Sequence, residues 1–297
     1  MTAAKKPDTR IINRGRGHSY LLDGEKVPGV TTILNAGVPK PQLVGWAART
    51  TAEFVIDRIV RRGDPHGAPT FIADDLIDEL RAMNAAATKP RRFSGDFPRG
   101  DLAWVLAGVP YADRDAAANR GTEVHRLAEL LAHGEEVDVP DELEGHVAAY
   151  VAFLDEWSPS DAIVERVVVN RRWHYMGKLD LIATVGGERV LLDVKTSRSG
   201  PYPDVALQLA GYRHAETMLT VDGLAEEPMP EVDWAGVVWV RADGYDVYRF
   251  DTSDRTFRAF LYAKQVGDWI AWADPRDRDA ESPVKSDALP APKGSTS

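Results

Sequence analysis

The chain has 297 residues, 44% of them hydrophobic and 28% charged, enough for a globular core in one large domain or two small ones. It contains no cysteine, which excludes disulfides, thiolate zinc sites and cysteine-held iron–sulfur clusters and leaves oxygen and imidazole as the only metal ligands. The net charge of −10 argues against a protein that coats nucleic acid, but not against an enzyme that grips it locally, since a carboxylate metal site itself adds negative charge.

No apolar run reaches the roughly 20 residues of a membrane span, and the start is polar, which predicts a soluble, cytoplasmic chain with no membrane partner. Met1 to Gly17 carries Lys5, Lys6, Arg10, Arg14 and Arg16 against Asp8 alone and reads as a loose basic arm. His18 to Val30 holds short β-like runs around Asp23-Gly24, a hairpin signal. Gly29 to Leu34, GVTTIL, leads into a turn marked by Pro39 and Pro41. A helix is predicted over Gln42 to Arg62, with Leu43, Ala47, Phe54, Val55 and Ile59 on one face and Trp46 in the core.

A second helix is predicted from Ile72 to about Ala87. The segment Lys89 to Arg99, KPRRFSGDFPR, is basic, aromatic and broken by Gly and Pro. It is either a solvated connection or a loop in which Arg91, Arg92 and Arg99 meet phosphates while Phe93 stacks on a base. Asp113 to His133 is a strong helix whose stripe is Val124, Leu127, Ala128 and Leu131, with His125 beside it and Gly121 one turn earlier. A further helix covers about Glu142 to Trp157, with Val147, Tyr150, Val151 and Leu154 inward.

The period then changes. Ala162 to Val169, AIVERVVV, is β-rich and carries a single acid, Glu165, which suits either the exposed face of an edge strand or a ligand. Gly177 to Ser197 reads as a β-hairpin, two β-rich runs joined at Gly186-Gly187. Asp180 sits in its first, apolar-flanked run with Leu179, Leu181, Ile182 and Ala183, and its second run carries Asp193 and Lys195 on one face with Leu192 and Val194 on the other. Two carboxylates on neighbouring strands form an oxygen-lined site suited to Mg²⁺ or Mn²⁺, with Lys195 placed to orient or deprotonate a water. The plain alternative is a structural Asp–Lys ion pair.

A helix starting at Pro203-Asp204 puts Gln208 and Tyr212 one turn apart on one face. Strands at Ala235 to Arg241 and Tyr245 to Phe250 meet at Asp243-Gly244. A last helix spans about Ser253 to Trp272, with Phe257, Phe260, Leu261 and Ile270 as core candidates. The stretch 274–297 is polar and Pro-rich and reads as a disordered tail. No internal repeat and no phosphate-cradling Gly-rich loop is found, which argues against an ATP-driven motor.

In order, the features are Gly121-Thr122-x-x-His125 on a helix, Glu165 on a strand, Gly177-x-x-Asp180, Asp193-Val194-Lys195, and Gln208-x-x-x-Tyr212 on a helix. This set, covering about Arg120 to Ala215, resembles the PD-(D/E)XK nuclease superfamily, and within it the RecB-like exonuclease group of phage and CRISPR-associated nucleases. VPGVTTIL ahead of a Trp-bearing helix is similar, more loosely, to the lead-in of phage-encoded members. The resemblance implies an α/β fold with a restriction-endonuclease-like core, a mixed β-sheet flanked by helices, over 111–273, preceded by a basic arm and helical extension over 1–110.

It also implies one or two Mg²⁺ or Mn²⁺ ions held by His125, Asp180, Asp193 and the backbone carbonyl of Val194, with Glu165 as an additional acid. Lys195 would act on the attacking water, and Gln208 and Tyr212 would shape the site and touch the nucleic-acid backbone. Leu179 stands where the group often has Pro, and the cluster-binding cysteines of several relatives are absent, which favours a compact enzyme without an iron–sulfur cluster. The implied activity is metal-dependent exonucleolytic hydrolysis of DNA in phage or bacterial recombination, repair or replication, with a recombination or single-strand-annealing protein as a conceivable second partner. An endonuclease of the same fold and a catalytically silent DNA-binding or scaffold protein are the alternatives.

Overall fold

The computed structural model describes residues 8–14, 17–62, 102–132, 137–273 and 284. It is a mixed α/β protein in two units: Met1–Pro39 with Val124–Ser297, and Lys40–Glu123 between them. The expected second helix, the loop with Arg91, Arg92, Phe93 and Arg99, and the tail from 274, apart from Val284, lie outside the described residues.

In the larger unit, β1 (Arg10–Arg14), β2 (Gly17–Leu22) and β3 (Glu25–Val27) form an antiparallel three-stranded sheet. The β2–β3 turn has positive φ at both Asp23 and Gly24, the primed-turn geometry that matches strand twist. Part of the segment read as a loose arm is therefore a paired strand. Arg171 ties this sheet down: its guanidinium meets Asp23 of the turn at 2.6 Å and donates to Thr9 Oγ1, just before β1, at 3.4 Å.

The β-branched run GVTTIL favours a strand by propensity, yet Val30–Gly37 is a helix, α1. Val30, Ile33 and Leu34 fall at helical spacing and are buried, so burial outweighs the small propensity penalty. Val30, Ile33 and Leu34, expected within an extension to 110, thus pack in the main core.

The unit Lys40–Glu123 holds α2 (Gln42–Arg62), as expected, and most of α3 (Leu102–Ala132). Leu43, assigned inward from its spacing, is 49% exposed, and Trp46 is only half-buried. The α3 helix starts earlier than its periodicity suggested and carries Pro110 inside it. Proline normally removes one helical hydrogen bond and bends the axis there.

The last turns of α3 belong to the larger unit, where Val124 and Leu127 pack with Leu143 and Val147 at the start of α4 (Glu144–Trp157). Beyond α4 come β4 (Ser160–Val164), β5 (Val167–Asn170), β6 (Tyr175–Lys178), β7 (Leu181–Val185), β8 (Glu188–Lys195), α5 (Asp204–Arg213), β9 (Thr217–Leu219), β10 (Glu226–Pro228), β11 (Trp234–Arg241), β12 (Gly244–Phe250) and α6 (Asp254–Ala273). Two sheets result, ordered β10-β9-β5-β6 and β12-β11-β8-β7-β4. The second is antiparallel except for β8 and β11, which run parallel and are joined through α5.

Alternation along β8 sends Leu191 to one core, with Leu209, Phe260 and Val237, and Val190, Leu192 and Val194 to the other, with Tyr150 and Phe153 of α4. Helices thus cover both faces of this sheet, as its nearly continuous apolar run demands. At the α1–α6 contact Gly37 is required, because an added Cβ would collide with the Ala263 backbone. Ile270, expected inside α6, is 43% exposed.

Candidate metal centre

The β-rich run around Glu165 is not one strand. It breaks at Glu165 and Arg166 into β4 and β5, and the neighbouring run breaks at Leu179 and Asp180 into β6 and β7. The two breaks face each other: the Glu165 N–H donates to the Asp180 carbonyl at 2.8 Å and the Leu179 N–H donates to the Arg166 carbonyl at 3.0 Å. Glu165 has φ +51°, a left-handed conformation that a non-glycine residue takes up only where its surroundings enforce it. Both acids therefore leave the sheet at its bend rather than obeying strand alternation.

The bend lies next to His125 of α3. Its Nδ1 is 3.4 Å from Asp180 Oδ2 and 3.9 Å from Glu165 Oε1. His125, Glu165 and Asp180 offer one ligand atom each within 4.8 Å of one another, the one such convergent group among the described residues. An imidazole with two carboxylates is a donor set that could hold a divalent cation. Asp180 Oδ2 also accepts the Val194 N–H at 2.7 Å, so Val194 meets the acid through its amide.

Asp193 stands beside this group. It is 2% exposed, and its Oδ1 accepts a hydrogen bond from Gln208 Nε2 at 2.8 Å. Its Oδ2 is paired with the Lys195 ammonium at 2.6 Å. A carboxylate oxygen has two lone pairs, so one engaged by the ammonium leaves another for a cation. Lys195 Nζ also donates to Gln208 Oε1 at 3.2 Å, and Gln208 Nε2 donates to Tyr212 Oη at 3.1 Å. Gln208 and Tyr212 are buried against the acids; they do not face water. Gly177 makes room for this arrangement, since a Cβ there would come within 2.6 Å of the Tyr212 ring.

The charges act on one another. The Asp180 carboxylate holds the His125 imidazole protonated up to about 9, against the pull of burial. Burial raises Asp180 itself well above the usual carboxylate range, with His125 opposing and Asp193 adding to the rise. Burial also works to raise Glu165, but hydrogen bonds from His125 and Lys178 outweigh it and lower its pKa. For Lys195, burial favours the neutral amine, and the charges of Asp193 and Asp180 more than compensate, so its pKa rises. His125, Lys178 and Lys195 thus each stand against an acid of the site.

Sequence reasoning missed Lys178, whose ammonium pairs with Glu165 Oε2. It directly follows Gly177, so its proximity to the acids was readable, but its side was not. Tyr20 was also missed. It is buried, its Oη lies 2.7 Å from His18 Nε2, and it feels the charge of Glu165; nothing in the sequence of β2 signals this.

No family model matches the chain, and no curated protein matches it. Among solved structures, one described as the crystal structure of SSO0001 is similar at 13% identity and a TM-score of 0.28, over 68% of this chain and 87% of that one. A likeness of that size carries no argument about activity. Among the described residues, no helix is long and apolar enough to cross a membrane.

Proposed function

We propose that this chain is a Mg²⁺- or Mn²⁺-dependent deoxyribonuclease with a restriction-endonuclease-like core of the PD-(D/E)XK, RecB-like kind, acting from DNA ends in phage or bacterial recombination, repair or replication. The observation that carries the reading is the meeting of His125, from a helix, with Asp180, which precedes one strand of a hairpin whose other strand supplies Asp193 and Lys195. The antiparallel β4, β7 and β8 followed by α5 and the parallel β11 support the core assignment.

The residues fit an oxygen-seeking divalent cation: His125, Asp180 and Asp193 would hold it, flanked by Glu165. Such an ion supplies charge stabilisation at a phosphate oxygen and lowers the pKa of a bound water. Lys195, kept as an ammonium by Asp193 and Asp180, is suited to orient a water or phosphate oxygen rather than to remove a proton. Gln208 fixes both Lys195 and Asp193 from behind, and Tyr212 fixes Gln208.

The test is a time course on end-labelled linear DNA with Mn²⁺, alongside closed circular DNA. Cleavage of the linear form, sparing of the circle, and loss of activity in folded Asp193→Ala and Lys195→Ala variants are expected. Undiminished metal-dependent cleavage by either variant would remove the site assignment, and cutting of the circle would replace an exonuclease with an endonuclease.

A further inference from the structure

Each outer acid of the site has its own lysine. Lys195 faces Asp193 and Lys178 faces Glu165, while Asp180 between them has an imidazole and a backbone N–H. The role of Lys195 follows from the proposed chemistry. Lys178 has no part in that chemistry, yet it is set against one of the three groups that converge as potential ligands.

An exposed ion pair would be unremarkable, since such pairs contribute little. This one is different in its partner. Glu165 is only 15% exposed in its side chain, sits at a left-handed bend, and divides its carboxylate, one oxygen toward His125 Nδ1 and the other to the Lys178 ammonium. Beside the same group, buried Asp193 adds a third carboxylate, held by its own lysine at 2.6 Å. Any divalent ion that uses Glu165 must share that carboxylate with an ammonium already in place.

We propose that Lys178 is a resident counter-cation that a divalent ion must displace from Glu165, so that this lysine sets the ion affinity of the His125–Glu165–Asp180 group. The proposal rests on the metal-site reading above. In the ion-free protein Lys178 offsets the charge of Glu165 and keeps the carboxylate oriented at the bend. When an ion arrives, the ammonium opposes it over a distance of one carboxylate, and the ion keeps Glu165 only by outcompeting it. Repulsion between a divalent and a monovalent cation at such range, in a partly solvated site, is worth on the order of a tenfold change in affinity or more.

The experiment is Mn²⁺ titration of the full chain at constant pH, read by the electron paramagnetic resonance signal of free Mn²⁺, with no DNA present. Lys178→Met and Lys178→Gln are expected to bind Mn²⁺ at least tenfold more tightly than the wild-type protein, and Lys178→Arg, which keeps the charge, to match it. In a Glu165→Gln background the gain from Lys178→Met should largely vanish, which a double-mutant cycle reads directly. Circular dichroism confirms that each variant is folded. Unchanged or weaker binding by the folded Met and Gln variants overturns the proposal and leaves the metal-site reading intact. A wild-type protein that takes up no Mn²⁺ at millimolar concentration overturns both.

Discussion

Gln208 is the residue on which the two sides of the site depend, and its removal has a calculable cost. Its amide nitrogen donates to Asp193 Oδ1 at 2.8 Å and to Tyr212 Oη at 3.1 Å, and its amide oxygen accepts from Lys195 at 3.2 Å. Methionine is nearly the same length and cannot replace these bonds. Asp193, 2% exposed, then has an acceptor oxygen that water reaches poorly. A hydrogen bond to a charged group contributes about 1.5–3 kcal/mol, and the buried group left unpaired costs a similar amount when nothing replaces the donor. Gln208→Met is therefore expected to destabilise the protein by about 2–3 kcal/mol, and Gln208→Ala by about 1 kcal/mol more for the space it leaves. Urea unfolding at pH 7 in the presence of chelator measures both. A methionine variant within about 0.5 kcal/mol of the wild-type protein would show that Asp193 does not need this donor, and the account of Gln208 as the brace of the site would be wrong.

Two further outcomes follow from the same geometry. His125 has its folded pKa raised from 6.5 to about 9, so its stabilising effect is fully present below pH 6.5 and is lost as pH rises through 9; at about 1.4 kcal/mol per unit this is an upper bound of about 3.5 kcal/mol, and solvent at a side chain 30% exposed reduces it to about 1–2 kcal/mol. Chelator-treated wild-type protein should lose that much more stability between pH 6 and pH 9.5 than His125→Asn, and identical losses would refute the pairing with Asp180. At Glu165, φ +51° penalises every side chain but not glycine, so thermal unfolding should find Glu165→Gly more stable than Glu165→Ala by about 0.5–1 kcal/mol. An alanine variant at least as stable as the glycine one would mean that the bend is not strained.

Where local chemistry decides, the sequence could be read. Gly-Gly at 186–187 and Asp-Gly at 23–24 adopt positive φ and close hairpins as their residue types require, α2, β11 and β12 lie within a residue of their expected bounds, and α5 starts at Asp204 as expected. Asp193 and Lys195 share a face because alternation in β8 is regular. Where tertiary packing decides, it could not. The helix at Val30–Gly37 wins over a β-branched run only because Ile33 and Leu34 meet the main core. The exposure of Leu43 and Ile270 depends on what else covers each helix, which periodicity does not encode. Glu165 was ambiguous because a strand model assigns it a face by parity, and a left-handed residue has no parity.

That last failure bears on why the site lies where it does. In an unbroken strand, the run AIVERVVV would force a carboxylate into either the apolar core or the outer face, and neither is a place where three acids can meet at tolerable cost. Breaking two adjacent strands at the same level solves this. The backbone stays paired across the break through the Glu165 and Leu179 amides, while both side chains leave the sheet at its rim, each 15% exposed, beside the end of α3 that brings His125. Only Asp193 remains on a regular strand, and it is the acid that needs a glutamine and a lysine to stay buried. The bend therefore does for Glu165 and Asp180, through backbone geometry, what Gln208 and Lys195 do for Asp193 through side chains. A change that straightened β4–β5 would have to bury Glu165 without such partners, so the strained backbone at this residue and the electrostatics of the site are a single constraint.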